Sequence, residues 1–218
     1  MQTATAGTSG SGDAPMGDNE RGFSMLELLA ALLIMGIIAA FALPMAITAV
    51  KTFRVNADAT ALASYLNLTR SRATSQYAPY RLNVDPTQGD YTMEKLCGNT
   101  SSSVDPACTG PYQQFTTRQF EYGTQYPRQG DYLSTCAPSG VTSAPTGFAD
   151  PSPCPAILQM YFNTRGTPVK SDGSPLGGGG YVAYIQNQNT SFTDAVTVSV
   201  GGRVSMWNWS PTAGWSIR

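Results

Sequence analysis

Histidine is absent from all 218 residues. Without it there is no Ser-His or Cys-His nucleophile pair, and the imidazole ligands of most catalytic zinc sites are missing. Lysine is scarce, with Lys51, Lys95 and Lys170 the whole set. Charged side chains make up only 12% of the chain and nearly cancel, 13 basic against 14 acidic. That balance gives no chain-wide electrostatic case for nucleic acid or an anionic surface. The scattered acids Asp85, Asp90, Glu94 and Asp105 sit in turns, where Asp usually serves backbone bonding, so the chain is not expected to be an enzyme. Gly177 to Gly180 is followed by Tyr181, not by the Lys and Ser or Thr of a phosphate loop, and reads as a flexible hairpin connection. The four cysteines include no CxxC spacing, so neither a metal nor a cofactor is expected.

What the chain does have is one long uncharged stretch. Leu28 to Val50 carries no charged side chain over 23 residues. As a helix it would span roughly 35 Å, enough to cross a hydrocarbon core of about 30 Å. Just before it stands Glu27, within Arg21-Gly22-Phe23-Ser24-Met25-Leu26-Glu27. A lone carboxylate at an apolar edge costs about 2.5 to 3.5 kcal/mol on insertion scales and needs a compensating partner. A plain secretory signal is one alternative, since Ala40-Phe41-Ala42 offers an A-x-A-like cut after Ala42 that would release a soluble binding domain. Against it, the apolar stretch exceeds the usual 7 to 15 residues, and the leader sets Arg21 against Asp13, Asp18 and Glu20.

Gly22, an aromatic Phe23, Glu27 five residues into the mature chain, and Pro44 near the far end of the apolar helix resemble the class III signal of type IV pilins and of the pseudopilins of type II secretion. The resemblance implies that prepilin peptidase, a membrane aspartyl peptidase, cuts between Gly22 and Phe23 and methylates the new amine. It also implies assembly with other pilin or pseudopilin subunits at an inner-membrane platform. The freed amine of Phe23 can neutralise Glu27, within one chain or across to the subunit already in the filament. The second arrangement makes docking selective, because an unpaired buried charge is penalised on both partners.

Removing residues 1–22 leaves twelve basic against eleven acidic residues, a net charge of +1. The expected divisions are a leader over 1–22, a transmembrane and filament-core helix over 23–50, an amphipathic continuation over 51–76, and a periplasmic β-rich domain over 77–218. Pro44 should bend or loosen the helix, which then continues. Val55, Ala59, Leu62, Leu66 and Ala73 stack on one face at helical spacing, with Lys51, Arg54, Asp58, Arg70 and Arg72 expected elsewhere on it.

From Tyr80 onward seven strands are predicted: Tyr80 to Val84, Tyr91 to Leu96, Gln113 to Tyr122, Ala156 to Phe162, Gly180 to Ile185, Ala195 to Val200 and Arg203 to Trp207. Gly201-Gly202 signals a two-residue hairpin turn between the last two. Cys97, Cys108, Cys136 and Cys154 all follow the membrane helix, facing an oxidising compartment, which favours two disulfides. Three pairings are possible; Cys97 with Cys108 and Cys136 with Cys154 each close a short loop rich in turn residues. The expected fold class is α+β, a type IV pilin fold: a long N-terminal helix, its first half transmembrane, packed on an antiparallel sheet with disulfide-strapped loops.

Leu66, Arg70, Ser71 and Ala73, with Thr69 in place of the usual Ala, resemble the helix end of H-type pseudopilins and T- or U-type fimbrial minor pilins. Some T-type proteins are implicated in DNA uptake through a Gly-Arg-x-Arg segment. Here Gly202-Arg203-Val204-Ser205 lacks the second arginine, leaving Arg203 and Arg218 as candidate DNA contacts beside Trp207, Trp209 and Trp215. Packing of the last hairpin is the favoured role for those tryptophans. The reading reached is a structural subunit of a type IV pilus or a type II secretion pseudopilus. It is anchored once in the inner membrane with a periplasmic domain and then drawn into a filament. A DNA-binding competence pilin and an exported soluble domain are the alternatives.

Overall fold

The computed structural model of the protein describes residues 24–97, 111–119, 131–134, 136–138, 140–150, 153–187 and 192–218. The expectations placed on Gly22, Phe23, Cys108 and residues 120–122 lie outside these. Helix α1 runs Met25–Ser75 with Pro44 inside it. Two compact units result, Met1–Pro44 and Met45–Arg218. Their division falls at the residue that has no N–H to give the carbonyl four positions back.

In the first unit the large apolar side chains from Met25 to Leu43 are exposed. The helix is long and apolar enough to cross a membrane. Within the second unit the same helix behaves oppositely. Val55, Ala59, Leu62, Leu66 and Ala73 are buried, as the spacing predicts, and Asp58, Ala63 and Thr69 join them. Asp58 corrects the expectation of a charge elsewhere on the helix. It lies three residues after Val55 and four before Leu62, which places it on the apolar face. Thr69 fits where a smaller Ala was expected because its hydroxyl turns back to donate to the Tyr65 carbonyl at 2.8 Å.

Among the described residues ten strands follow: β1 Tyr80–Asp85, β2 Asp90–Leu96, β3 Tyr112–Gln119, β4 Asp131–Ser134, β5 Leu158–Phe162, β6 Pro168–Val169, β7 Tyr181–Asn187, β8 Thr193–Val198, β9 Val204–Ser210 and β10 Gly214–Ile217. They form two five-stranded antiparallel sheets rather than one, in the orders β3-β2-β1-β5-β6 and β10-β9-β8-β7-β4. The α+β class stands; the single sheet is corrected to two. β1 alternates, with Tyr80, Leu82 and Val84 inward. They meet the helix stripe, Met160 and Phe162 of the first sheet, and Ile185, Val196 and Val198 of the second, in one core. At about 1.5 to 3 kcal/mol for each fully buried large apolar side chain, this shared core is the main force holding helix to sheets.

β8 is buried along its whole length because both its faces are covered. One meets the shared core. On the other, Val182, Tyr184 and Ala195 pack with Ala137, Trp207 and Trp215. Gly177–Gly180 is not a hairpin connection, since it joins β6 of one sheet to β7 of the other. It is not simply slack either: a Cβ on Gly180 would stand 2.0 Å from the Val198 carbonyl oxygen. The predicted two-residue turn at Gly201-Gly202 is a three-residue loop. Val198 pairs with Val204, and Ser199 N–H donates to the Arg203 carbonyl at 2.9 Å. Gly202 takes the left-handed conformation, φ 82°, that this loop class requires at its third position.

Candidate functional site

At its amino end α1 is capped by Ser24. The Ser24 hydroxyl accepts from the Leu26 N–H at 3.3 Å, and the Ser24 carbonyl accepts from Glu27 and Leu28 at 3.0 and 3.1 Å. Ser24-Met25-Leu26-Glu27 thus has the spacing of a capping box, with Glu27 third in the helix, where an acid also favours the helix dipole. Sequence reasoning missed this cap, although the S-x-x-E signature was present. Glu27 is exposed, as are the apolar residues that follow it. The chemistry available here is recognition: one carboxylate on a bare apolar rod.

Cys136 and Cys154 form a disulfide, as the short-loop argument expects. Cys97 is also disulfide-bonded. The 136–154 loop straps the outer face of the second sheet. Tyr184 Oη donates to Asp150 Oδ1 at 2.5 Å, and Trp215 Nε1 donates to the Ser143 carbonyl at 2.6 Å. Phe148 sits edge-on to Trp207 at 6.3 Å, and Trp209 lies 5.2 Å from Trp215. Burial, and then donation to Asp150, push the Tyr184 pKa well above that of a free phenol. The tryptophans are therefore occupied in packing.

Of the two candidate DNA contacts, Arg218 turns its guanidinium to Asn56 Oδ1 on the helix and lies 3.7 Å from Asp194 Oδ2. Asp194 also accepts from Asn208 Nδ2 at 2.9 Å. Its pKa is raised, because burial outweighs the Asn208 hydrogen bond and the Arg218 charge. Arg203 is exposed at the end of the β8–β9 loop.

On the first sheet Arg81 Nε donates to Glu94 Oε2 at 2.6 Å, while its guanidinium carbon stacks 3.2 Å from the Tyr112 ring centre. Burial opposes the Arg81 charge, but Tyr161 and Glu94 overcome it, so its pKa rises. Gln114 fills the second oxygen of Glu94 at 3.2 Å. The group is closed on itself. A cleft of about 700 Å³ beside α1 is lined by Asp58, Tyr65, Tyr91 and Arg118. Among the described residues, no three metal-ligating side chains gather.

Two solved structures of the minor pseudopilin EpsH from the type 2 secretion system of Vibrio cholerae are similar to this chain. In one the identity is 11% and the TM-score 0.43, over 70% of this chain and 95% of that one. In the other they are 15% and 0.43, over 72% and 94%. At that score and identity the likeness does not by itself establish a shared role. No curated protein matches the chain. Residues 17–43 match the family model of the prokaryotic N-terminal methylation motif. That span holds Gly22, Phe23, Ser24 and Glu27, so the chain carries the prokaryotic N-terminal methylation motif at the head of its exposed apolar helix.

Proposed function

We propose that this protein is a minor pilin or pseudopilin, a structural subunit and not an enzyme. In this reading prepilin peptidase cleaves between Gly22 and Phe23 and methylates the new amine. Residues 23–50 hold the chain in the inner membrane with its domain outside. The same helix then enters a type IV pilus or a type II secretion pseudopilus among related subunits. The observation that carries the reading is the methylation motif at the head of a helix whose apolar surface stays uncovered from Met25 to Val50. Bare apolar surface on that scale demands lipid or other helices.

The mass of the mature chain tests processing: a methylated N-terminal Phe23 is expected, and an N-terminal Leu43 or an intact leader would sink the proposal. The role of Glu27 needs two variants, because a capping box accepts Gln as well as Glu. Glu27→Gln removes the charge and keeps a side chain of the same shape, whereas Glu27→Ala removes both, and either leaves the Ser24 cap in place. Both should be cleaved and both should fail to enter filaments. Normal incorporation of Glu27→Gln would mean that the shape of the side chain, and not its charge, matters there. The DNA-binding alternative rests on Arg203, since Arg218 is engaged with Asn56 and Asp194. No gel shift at low salt would remove it.

A further inference from the structure

Two hairpin loops, one from each sheet, have the same construction. In the β5–β6 loop the Asn163 N–H donates to the Thr167 carbonyl at 3.0 Å, and Gly166 N–H donates back to the Asn163 carbonyl at 2.8 Å. In the β8–β9 loop Ser199 and Arg203 make the equivalent bond at 2.9 Å, and Gly202 N–H returns to the Ser199 carbonyl at 2.7 Å. In each, the first residue's side chain also takes the fifth residue's N–H: Asn163 Oδ1 from Thr167 at 3.0 Å, and Ser199 Oγ from Arg203 at 3.1 Å. Each third loop residue is a buried left-handed glycine, with φ 71° at Gly166 and 82° at Gly202.

Both glycines face Arg70 of α1. A Cβ on Gly166 would lie 3.0 Å from Arg70 Cγ and 2.8 Å from Thr74 Cγ2. On Gly202 it would lie 3.2 Å from Arg70 Cζ and 3.0 Å from the Gly166 carbonyl oxygen. Arg70 Nη1 donates to the Gly202 carbonyl at 2.8 Å, across 132 residues of chain. A third loop of the same kind is a built-in control. Lys170 N–H donates to the Ser174 carbonyl at 2.8 Å and Gly173 N–H to the Lys170 carbonyl at 2.9 Å. Its Gly173 has φ 81°, but nothing lies within 4 Å of where a Cβ would go.

We infer that Arg70 is a keystone: its side chain runs between two glycines, stem and Nε against Gly166 and guanidinium against Gly202, and locks the end of α1 to both sheets at once. The glycines are there so that backbone can close onto the arginine, and Arg rather than Lys is there because a planar group fits the gap. Arg70 thus gives load at this end of α1 a polar path to both sheets beside the shared core. The inference does not depend on the filament reading and can fail while that reading stands.

Hydrogen exchange on the full-length protein in detergent tests it. Arg70→Ala should speed exchange about tenfold or more at the Gly166 and Gly202 amides together, leaving Gly173 unchanged. Arg70→Lys should behave like Arg70→Ala, since an ammonium cannot fill a flat gap between two backbones. Pushed from the other side, Gly166→Ala, whose methyl would meet Arg70 and Thr74 of the helix, should speed exchange at Gly202 in the opposite sheet. A response confined to the altered loop's own sheet, or protection kept in Arg70→Lys, would overturn the inference. If Arg70→Ala does not fold, the other two variants decide it alone.

Discussion

The two halves of α1 are made from the same kind of residue and do opposite things with it. Leu28, Leu29, Leu32 and Leu33 are more than half exposed, whereas Leu62 and Leu66 show no surface at all. Composition does not separate these leucines; pattern does. The first half is apolar all round, so no one face is marked for a sheet. The second half buries one apolar stripe and is clasped to the second sheet from both ends of that stripe. Arg218 reaches Asn56 and Arg70 reaches the Gly202 carbonyl, 14 residues and therefore about 21 Å apart along a helix. A helix can thus carry an unsatisfied surface for other molecules only while a separate segment of it anchors the domain.

That contrast can be broken most sharply at the leucines. Leu66→Ala should cost about 2 to 5 kcal/mol by denaturant unfolding of the full chain in detergent. Leu33→Ala should leave the domain within about 0.5 kcal/mol; equal losses would erase the distinction. Next in size is the strap. Replacing Cys136 and Cys154, separated by 18 residues, with Ser should cost about 3 kcal/mol of domain stability while leaving the N-terminal half's behaviour unchanged.

Proton linkage gives a smaller effect, confined to the second half's side of the comparison. Tyr181 is pushed up to about 12 by burial, and Tyr184 is raised by burial and Asp150. Raised phenols stabilise the fold below their unfolded pKa of about 10, and that contribution is lost as pH climbs toward 12. Phenolate absorbance should show Tyr181 and Tyr184 ionising late, together with the unfolding of the domain. Asp194 works at the acid end. Its raised pKa means that its favourable contribution is present at low pH and is lost as pH rises through the folded value. Asp194→Asn should remove that part of the pH dependence of the melting temperature.

The smallest expected change is at Tyr77, which has a left-handed backbone, φ 49°, just past the helix end. Tyr77→Gly should raise stability by up to about 1 kcal/mol, because only glycine reaches that conformation without a Cβ clash.

The long helix, its buried stripe and most strands were legible because each rests on a short-range period. Asp58 was misplaced because charge was allowed to override spacing that already put it on the buried face. β6 is only two residues, Pro168–Val169, too short for any alternation. β4 has only four residues, and its partner, Tyr184 to Asn187 of β7, lies far along the chain. β10 follows the Ser210-to-Gly214 turn with four residues. A second sheet could not be read because no local pattern says which strands share an edge. At the candidate site the N-terminal methylation motif was legible by spacing, whereas the paired glycines on Arg70 were not. Their meeting depends on three segments brought together by the fold.

All three tryptophans of the chain, Trp207, Trp209 and Trp215, fall in the β9–β10 hairpin, with Phe148 and the Ser143 carbonyl of the strap resting on two of them. Intrinsic emission from this protein is consequently a local gauge. It will report whether the disulfide-closed cover is seated, and it will be blind to whatever envelops the bare leading rod.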